Sequence, residues 1–228
     1  MPAAIRSTGP RGLEAHDMTK QSFLAGGIIC LLLGFGACSK APSAYCPIGT
    51  GVTWKYHVSV TTESGAETAG TLTITNLEMR TLAGKKVVPE KQQLELRGQS
   101  HYEFVYVING RSGVYTFATQ GPDDPEPIIQ REPSYILKEP LRAGNSWQFT
   151  LSLANESVPA TATIEDMDEA VDVPAGSFKH CIRVRIVGLA EHATSPEEYE
   201  WFAPNVGLVK AVLQGPDQMS FHLVSFVR

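Results

Sequence analysis

The chain carries four cysteines, and one of them, Cys38, stands directly behind an apolar run and two small residues, Gly36-Ala37. A thiol there is placed for modification at a processing site. Cys30 lies inside the apolar run itself. Cys46 and Cys181 remain. In an oxidising compartment they could form a disulfide, or they could stay free. His180 beside Cys181 is the one imidazole near either thiol, short of the four ligands of a structural zinc site. Spacing alone leaves the bridge and the free thiols both open.

The remaining reactive side chains do not assemble into a catalytic pattern. His57, His101, His180, His192 and His222 include no pair at chelating spacing. No Gly-x-Ser-x-Gly elbow and no glycine-rich phosphate loop occurs. Carboxylates gather at Glu165, Asp166, Asp168 and Glu169, at Asp123, Asp124 and Glu126, and at Glu197, Glu198 and Glu200. None has the ligand spacing of a calcium loop, and solvated charge is the expected reading. Glu200 stands apart, because Glu103 occupies the same place in an internal repeat described below. We therefore expect no catalytic residues, no metal, no cofactor and no enzymatic activity.

The segment around Cys38 reads as a leader. Met18-Thr19-Lys20-Gln21-Ser22 is a short basic start, and Phe23 to Phe35 is an apolar core. That core is roughly 13 residues, against the ~20 that a spanning helix needs. With small residues after it, it has the layout of a secretory signal. Phe35-Gly36-Ala37-Cys38 resembles the bacterial lipobox, although that pattern usually has Leu where Phe35 stands. The resemblance implies diacylglycerol on Cys38, cleavage before it and a membrane anchor. Two or three acyl chains hold firmly where one binds only marginally. Ser39 follows, rather than an Asp that would resemble inner-membrane retention. The expected location is the cell envelope, on the outer membrane facing the periplasm if the source is Gram-negative. Residues 1–17 carry Pro2, Gly9, Pro10 and Gly12 without apolar period, and we take Met18 as the expected start.

Composition bounds the partners. Lys and Arg total 19 against 24 Asp and Glu, a net charge of −5. No basic run exceeds Lys85-Lys86, so a nucleic-acid partner has no electrostatic footprint. The expected partners are the membrane, through the N-terminal lipid, and an envelope protein or an apolar ligand.

The elements that position these residues come from a duplicated pattern. Pro47-Ile48-Gly49-Thr50-Gly51-Val52-Thr53-Trp54 aligns with Pro140-Leu141-Arg142-Ala143-Gly144-Asn145-Ser146-Trp147. Gly70-Thr71-Leu72-Thr73-Ile74 answers Ala160-Thr161-Ala162-Thr163-Ile164, and Tyr102-Glu103-Phe104 answers Tyr199-Glu200-Trp201. Val52, Trp54, Tyr56, Val58 and Val60 alternate with polar residues, as do Trp147, Phe149, Leu151 and Leu153. Period two marks strands with one buried face. Further strands are expected at 71–77, 101–108, 113–118, 160–166, 181–188, 198–203, 207–213 and 219–227.

The expected organisation is a signal peptide at 18–37, a lipidated tether at 38–45 and a first β repeat at 46–118. A Pro-rich linker at 119–139 and a second repeat at 140–228 complete it. The fold class is all-β: two duplicated antiparallel units forming a curved, partly open barrel or clam-like domain. Trp54, Tyr56, Trp147, Phe149 and Trp201 are the candidate ligand-binding residues if the inner faces leave a cavity, and core residues if they do not.

Three segments carry a family resemblance: Pro140 to Trp147, Val171 to Cys181 and Tyr199 to Lys210. Together they resemble the TapB-like group of bacterial extracytoplasmic β-rich proteins, mostly lipoproteins. The resemblance implies fold and location, and it transfers no catalytic residues. It leaves two roles to weigh, a structural or binding lipoprotein and a carrier or acceptor of apolar ligand similar in architecture to LolA and LolB.

Overall fold

A computed structural model describes residues 41–153, 156–188, 197–215 and 217–228. The leader and Cys38 lie outside the described residues. A 3-10 turn, Pro42–Ala44, precedes thirteen strands. These are β1 (Thr53–Thr61), β2 (Glu67–Asn76), β3 (Arg80–Leu82), β4 (Lys85–Leu96), β5 (Gln99–Gly110), β6 (Gly113–Gln120) and β7 (Ile128–Lys138). They continue as β8 (Ser146–Leu153), β9 (Glu156–Val173), β10 (Gly176–Gly188), β11 (Glu197–Ala203), β12 (Gly207–Gln214) and β13 (Gln218–Val227).

All strands belong to one antiparallel meander, in the order β7-β6-β5-β4-β2-β1-β13-β12-β11-β10-β9-β8, with the short β3 paired to β4 off this path. Each half supplies six strands to a single, nearly closed barrel. The first and last strands zip together from Thr53↔Val227 to Thr61↔Gln218. The two outermost strands, β7 and β8, share no backbone ladder, and the barrel carries one unsealed seam between them.

Two parts of the expected organisation change. The segment 119–139 is not a linker: it finishes β6 and supplies all of β7, leaving 121–127 as the connection. β4, which no alternation announced, stands between β2 and β5 and pairs with both.

The alternation seen in sequence points into the barrel. Trp54, Tyr56, Val58 and Val60 of β1 are buried while Lys55 and His57 are exposed. Gly51 and Gly144 each lie three residues before the strand-opening tryptophan, with φ of 82° and 83°. That left-handed backbone is open to glycine at no steric cost, which explains the shared Gly-x-Ser/Thr-Trp opening. The base of the barrel, where β1 begins, is filled. Val52, Trp54, Cys181, Ala203, Val209 and Leu223 pack together there. Tyr45, Leu137, Trp147, Ile164, Ile182 and Phe202 form a second cluster. A fully buried aliphatic or aromatic side chain of this kind contributes about 1.5–3 kcal/mol relative to exposure.

The segment before β1 plugs that base. Tyr45 is buried and its hydroxyl donates to the His180 carbonyl at 3.4 Å. The Asn205 amide donates to the Ala44 carbonyl at 2.5 Å, and Asn76 Nδ2 donates to the Pro47 carbonyl at 3.2 Å. The β9–β10 hairpin runs past the barrel and folds back, its Ala175 amide donating to the Leu223 carbonyl at 2.9 Å. At the other end residues 63–67 and 97–103 are exposed. The barrel thus has a plugged base and, at the other end, a rim of exposed hairpins.

Candidate functional site: an acidic barrel lumen

Above the plugged base the inward faces leave a cavity of about 480 Å³. That volume suits a small molecule rather than packed core. Trp54 and Tyr56 from β1, Leu72 and Ile74 from β2, and Phe149 from β8 form part of its wall. Two of the aromatic polar atoms are already satisfied. Trp54 Nε1 donates to the Val206 carbonyl at 2.6 Å and the Tyr56 hydroxyl to the Leu208 carbonyl at 2.9 Å. These bonds fix the two rings in the wall.

Three glutamates share the same wall: Glu90 from β4 and Glu198 and Glu200 from β11. Period two sends Glu198 and Glu200 inward together. Glu198 sits between Ile186 and Leu213 in the sheet, and Glu200 between Val184 and Ala211. Each carboxylate is flanked by hydrocarbon. Burial pushes the Glu90 carboxyl up to about 7 and the Glu198 carboxyl up to about 7. Glu200 rises well above the ordinary carboxylate range, through burial first and then the charge of Glu198. Among the described residues no Lys, Arg or His lines this cavity.

The outer face of the same strands is the opposite case. Arg183 bonds Glu165 at 3.0 Å and also pairs with Glu169, while Arg185 pairs with Glu197. Glu197 is held below the ordinary range, mainly by the Tyr199 hydroxyl and then by Arg185. Adjacent residues of β11 thus differ completely: Glu197 outside is paired, and Glu198 inside is bare.

The lumen also opens sideways. A groove of about 530 Å³ lies over the seam, and Thr119, Gln130, Ser134, Phe149 and Thr150 line both it and the lumen. The β7 edge there reads Arg131-Glu132-Pro133. Charge and proline blunt an edge against further strand pairing.

The five aromatic residues singled out in sequence divide three ways. Trp54, Tyr56 and Phe149 line the lumen. Trp147 is buried beneath it, 3% exposed, and donates to the Tyr135 carbonyl at 3.0 Å. Trp201 is on the outer face, where its Nε1 donates to Glu169 and Lys210 lies over its ring. Trp201 is therefore not a lumen residue, because β11 gives its inward positions to Glu198 and Glu200. Cys46 and Cys181 are both free, so the bridge left open by sequence is not formed. Cys46 lines the lumen, whereas Cys181 is fully buried among Val52, Val171 and Leu223 below it.

Glu90 and Glu198 are the functional candidates that the sequence reading missed. Glu198 was inside a charge cluster read as solvated, and the signal was its i, i+2 spacing with Glu200 on an alternating strand. Glu103, the repeat counterpart of Glu200, is exposed toward the rim. Among the described residues no group of His, Cys, Asp and Glu is arranged to hold a metal ion.

No protein-family model matches the chain. No curated protein matches it. Among solved structures, it is similar to a protein of Bacteroides fragilis NCTC 9343 provisionally called exported, with a YmcC-like fold, at TM-score 0.43 and 16% identity. That alignment covers 80% of this chain and 98% of the other. A protein of Parabacteroides distasonis ATCC 8503, provisionally called a lipoprotein, aligns at TM-score 0.41 and 16% identity over 79% and 97% of the two chains. A β-barrel-like protein of the domain of unknown function DUF1849 from Brucella abortus aligns at TM-score 0.39 and 12% identity over 78% and 97%. At these scores the likenesses bear on neither ligand nor activity.

Proposed function

We propose that this chain is a lipid-anchored envelope lipoprotein that holds a small ligand in its barrel lumen and performs no chemistry on it. The carrying observation is the cavity of about 480 Å³ walled by Trp54, Tyr56 and Phe149. The lumen offers oriented rings and carboxylates but no nucleophile and base in partnership. Its thiol, Cys46, is held protonated by burial, and a protonated thiol is a poor nucleophile.

The anchor is part of the proposal. Pro42 lies four positions after Cys38, a reach of at most about 14 Å. The plugged base then faces the bilayer and the rim and seam face away. A receiving or presenting role fits that arrangement better than a freely diffusing carrier, which stays as the second reading. The three motif segments, kin to the TapB-like group in this proposal, are the β8 entry and the β9–β10 and β11–β12 hairpins. They frame the base of the lumen.

The test has two parts. Full-length protein should fractionate with membranes, and Cys38→Ala should release it or leave it unprocessed. Native mass spectrometry of residues 39–228 should find a co-purifying small molecule lost on Phe149→Trp, which fills the lumen. Repeated absence of any bound mass, together with no binding in the displacement assay below, would reject the lumen role.

A further inference from the structure

The lumen wall has a chemical bias that narrows its ligand. We infer that it binds an organic cation, an ammonium-bearing molecule with an apolar body, its charge held between Glu90 and the Glu198–Glu200 pair. This inference rests on the lumen-binding reading above and goes further by naming the ligand class.

Three observations carry it. First, the three glutamates border one space. β4 and β11 are separated by β2, β1, β13 and β12 around the sheet, so they face each other across the barrel. Cys46 and Tyr56 each lie within electrostatic reach of both Glu90 and Glu200. No cation of the protein answers them among the described residues lining the lumen. Half-buried carboxyls without a countercharge are costly to ionise, and a bound cation would offset that cost.

Second, the sheet beside Glu90 holds an unanswered acceptor, Asn76. It is 1% exposed, and its Oδ1 has no hydrogen-bond partner among the described residues. It shares the inward face of β2 with Leu72 and Ile74, and stands opposite Glu90 in the sheet register. Its Nδ2 is already given to the Pro47 carbonyl, which fixes the amide and leaves the oxygen as a free acceptor. Buried acceptors without donors are rare in folded proteins. Asn76 does not itself line the lumen; its unanswered oxygen adds to the negative potential beside Glu90.

Third, five rings join the aliphatic and neutral polar residues of the wall: Trp54, Tyr56, Phe149, Phe202 and Phe221. Ring faces attract organic cations and do so more strongly once water is excluded. A bare metal ion fits less well. Calcium needs six or more converging oxygens, and no such group is assembled among the described residues. The seam groove, with Ile128 exposed beside it, offers an entry route for the apolar body.

The experiment compares three probes of equal chain length: decylammonium, decanol and decanoate. Residues 38–228 form one compact unit, so soluble 39–228 is used, titrated by calorimetry at pH 8 and low salt. Decylammonium should bind at least tenfold more tightly than either other probe. The pair Glu90→Gln and Glu200→Gln should bring that preference close to unity. Should that double variant fail to fold, the wild type still decides: near pH 7 decylammonium binding should release protons, read as a dependence of the heat on buffer ionisation. Equal binding of decanol, or tighter binding of decanoate, overturns the cation assignment and leaves the lumen reading intact. Saturation by calcium chloride alone, displacing decylammonium, overturns it in favour of a metal. Binding of none of the probes rejects both.

Discussion

Trp147 Nε1 donates a 3.0 Å hydrogen bond to the backbone carbonyl of Tyr135, and in doing so joins β8 to β7 where no strand ladder does. Asn145 Nδ2 adds a second bond of the same kind, to the Lys138 carbonyl at 2.9 Å. The seam is thus pinned at its base by side chains. Trp147→Phe keeps most of the packing and removes the donor. It should cost about 1 kcal/mol, or about 2–4 °C in Tm for a domain of this size. Trp147→Ala also empties a buried site and should cost about 3–5 kcal/mol. Urea unfolding of 39–228 checks both.

The stability of the empty barrel should fall as pH rises toward neutrality. Glu90 and Glu198 titrate at about 7 in the fold against an ordinary value of 4.5. Between those values the folded state binds more protons than the unfolded chain, so folding is favoured by acid and weakened by base. The contribution is full below about pH 4.5 and is lost by about pH 7. Each pH unit in that window costs at most about 1.4 kcal/mol per group, and less where lumen water screens the charge. The titratable groups that share the space with Glu90 are Glu198, Glu200, Tyr56 and Cys46, and none brings a positive charge. Glu90→Gln should flatten the Tm-against-pH curve between pH 5 and 7. An unchanged slope would mean that Glu90 is solvated.

Much of the barrel was legible because its walls alternate. β1 and β8 open with the same glycine, hydroxyl and tryptophan, and both bury that tryptophan as period two requires. β4 and β7 were not legible, and the reason is physical. Their inward positions include Glu90 and Gln92 in one and Gln130 and Ser134 in the other. Polar residues facing a lumen erase the apolar period that identifies a strand. Pro89 and Pro133 add breaker signals to the same two segments. The residues that make the cavity polar are the ones that concealed its walls. Trp201 failed for the converse reason. Its repeat position matched an aromatic, but inward phase on β11 belongs to the glutamates.

The two thiols should be inert in the native state. Cys181 is fully buried and its thiol is pushed up to about 11, by burial and then by Glu169. Cys46 is raised well above its ordinary value by burial, with Glu90 and Glu200 adding to it. Thiolate is the reactive form. At pH 8 a thiol-disulfide reagent should label neither residue in folded 39–228 and both after denaturation. Mobility on gels should be the same with and without reductant. Rapid native labelling of Cys46 would mean that the base plug opens.

Trp54 and Trp201 offer a spectroscopic separation of inside from outside. The Trp54 ring borders the lumen with its N–H committed to Val206, whereas Trp201 lies over the Glu169–Arg183 ladder with Lys210 on its face. A molecule entering the lumen displaces water beside Trp54 and leaves the environment of Trp201 unchanged. Decylammonium should therefore shift the emission of the Trp201→Phe variant as it shifts that of the wild type, with the same affinity within about twofold. Trp54→Phe should remove most of the shift while calorimetry still detects binding. If instead Trp201→Phe abolished the signal and the binding, the ligand would sit on the outer acidic ladder and the lumen assignment would fail.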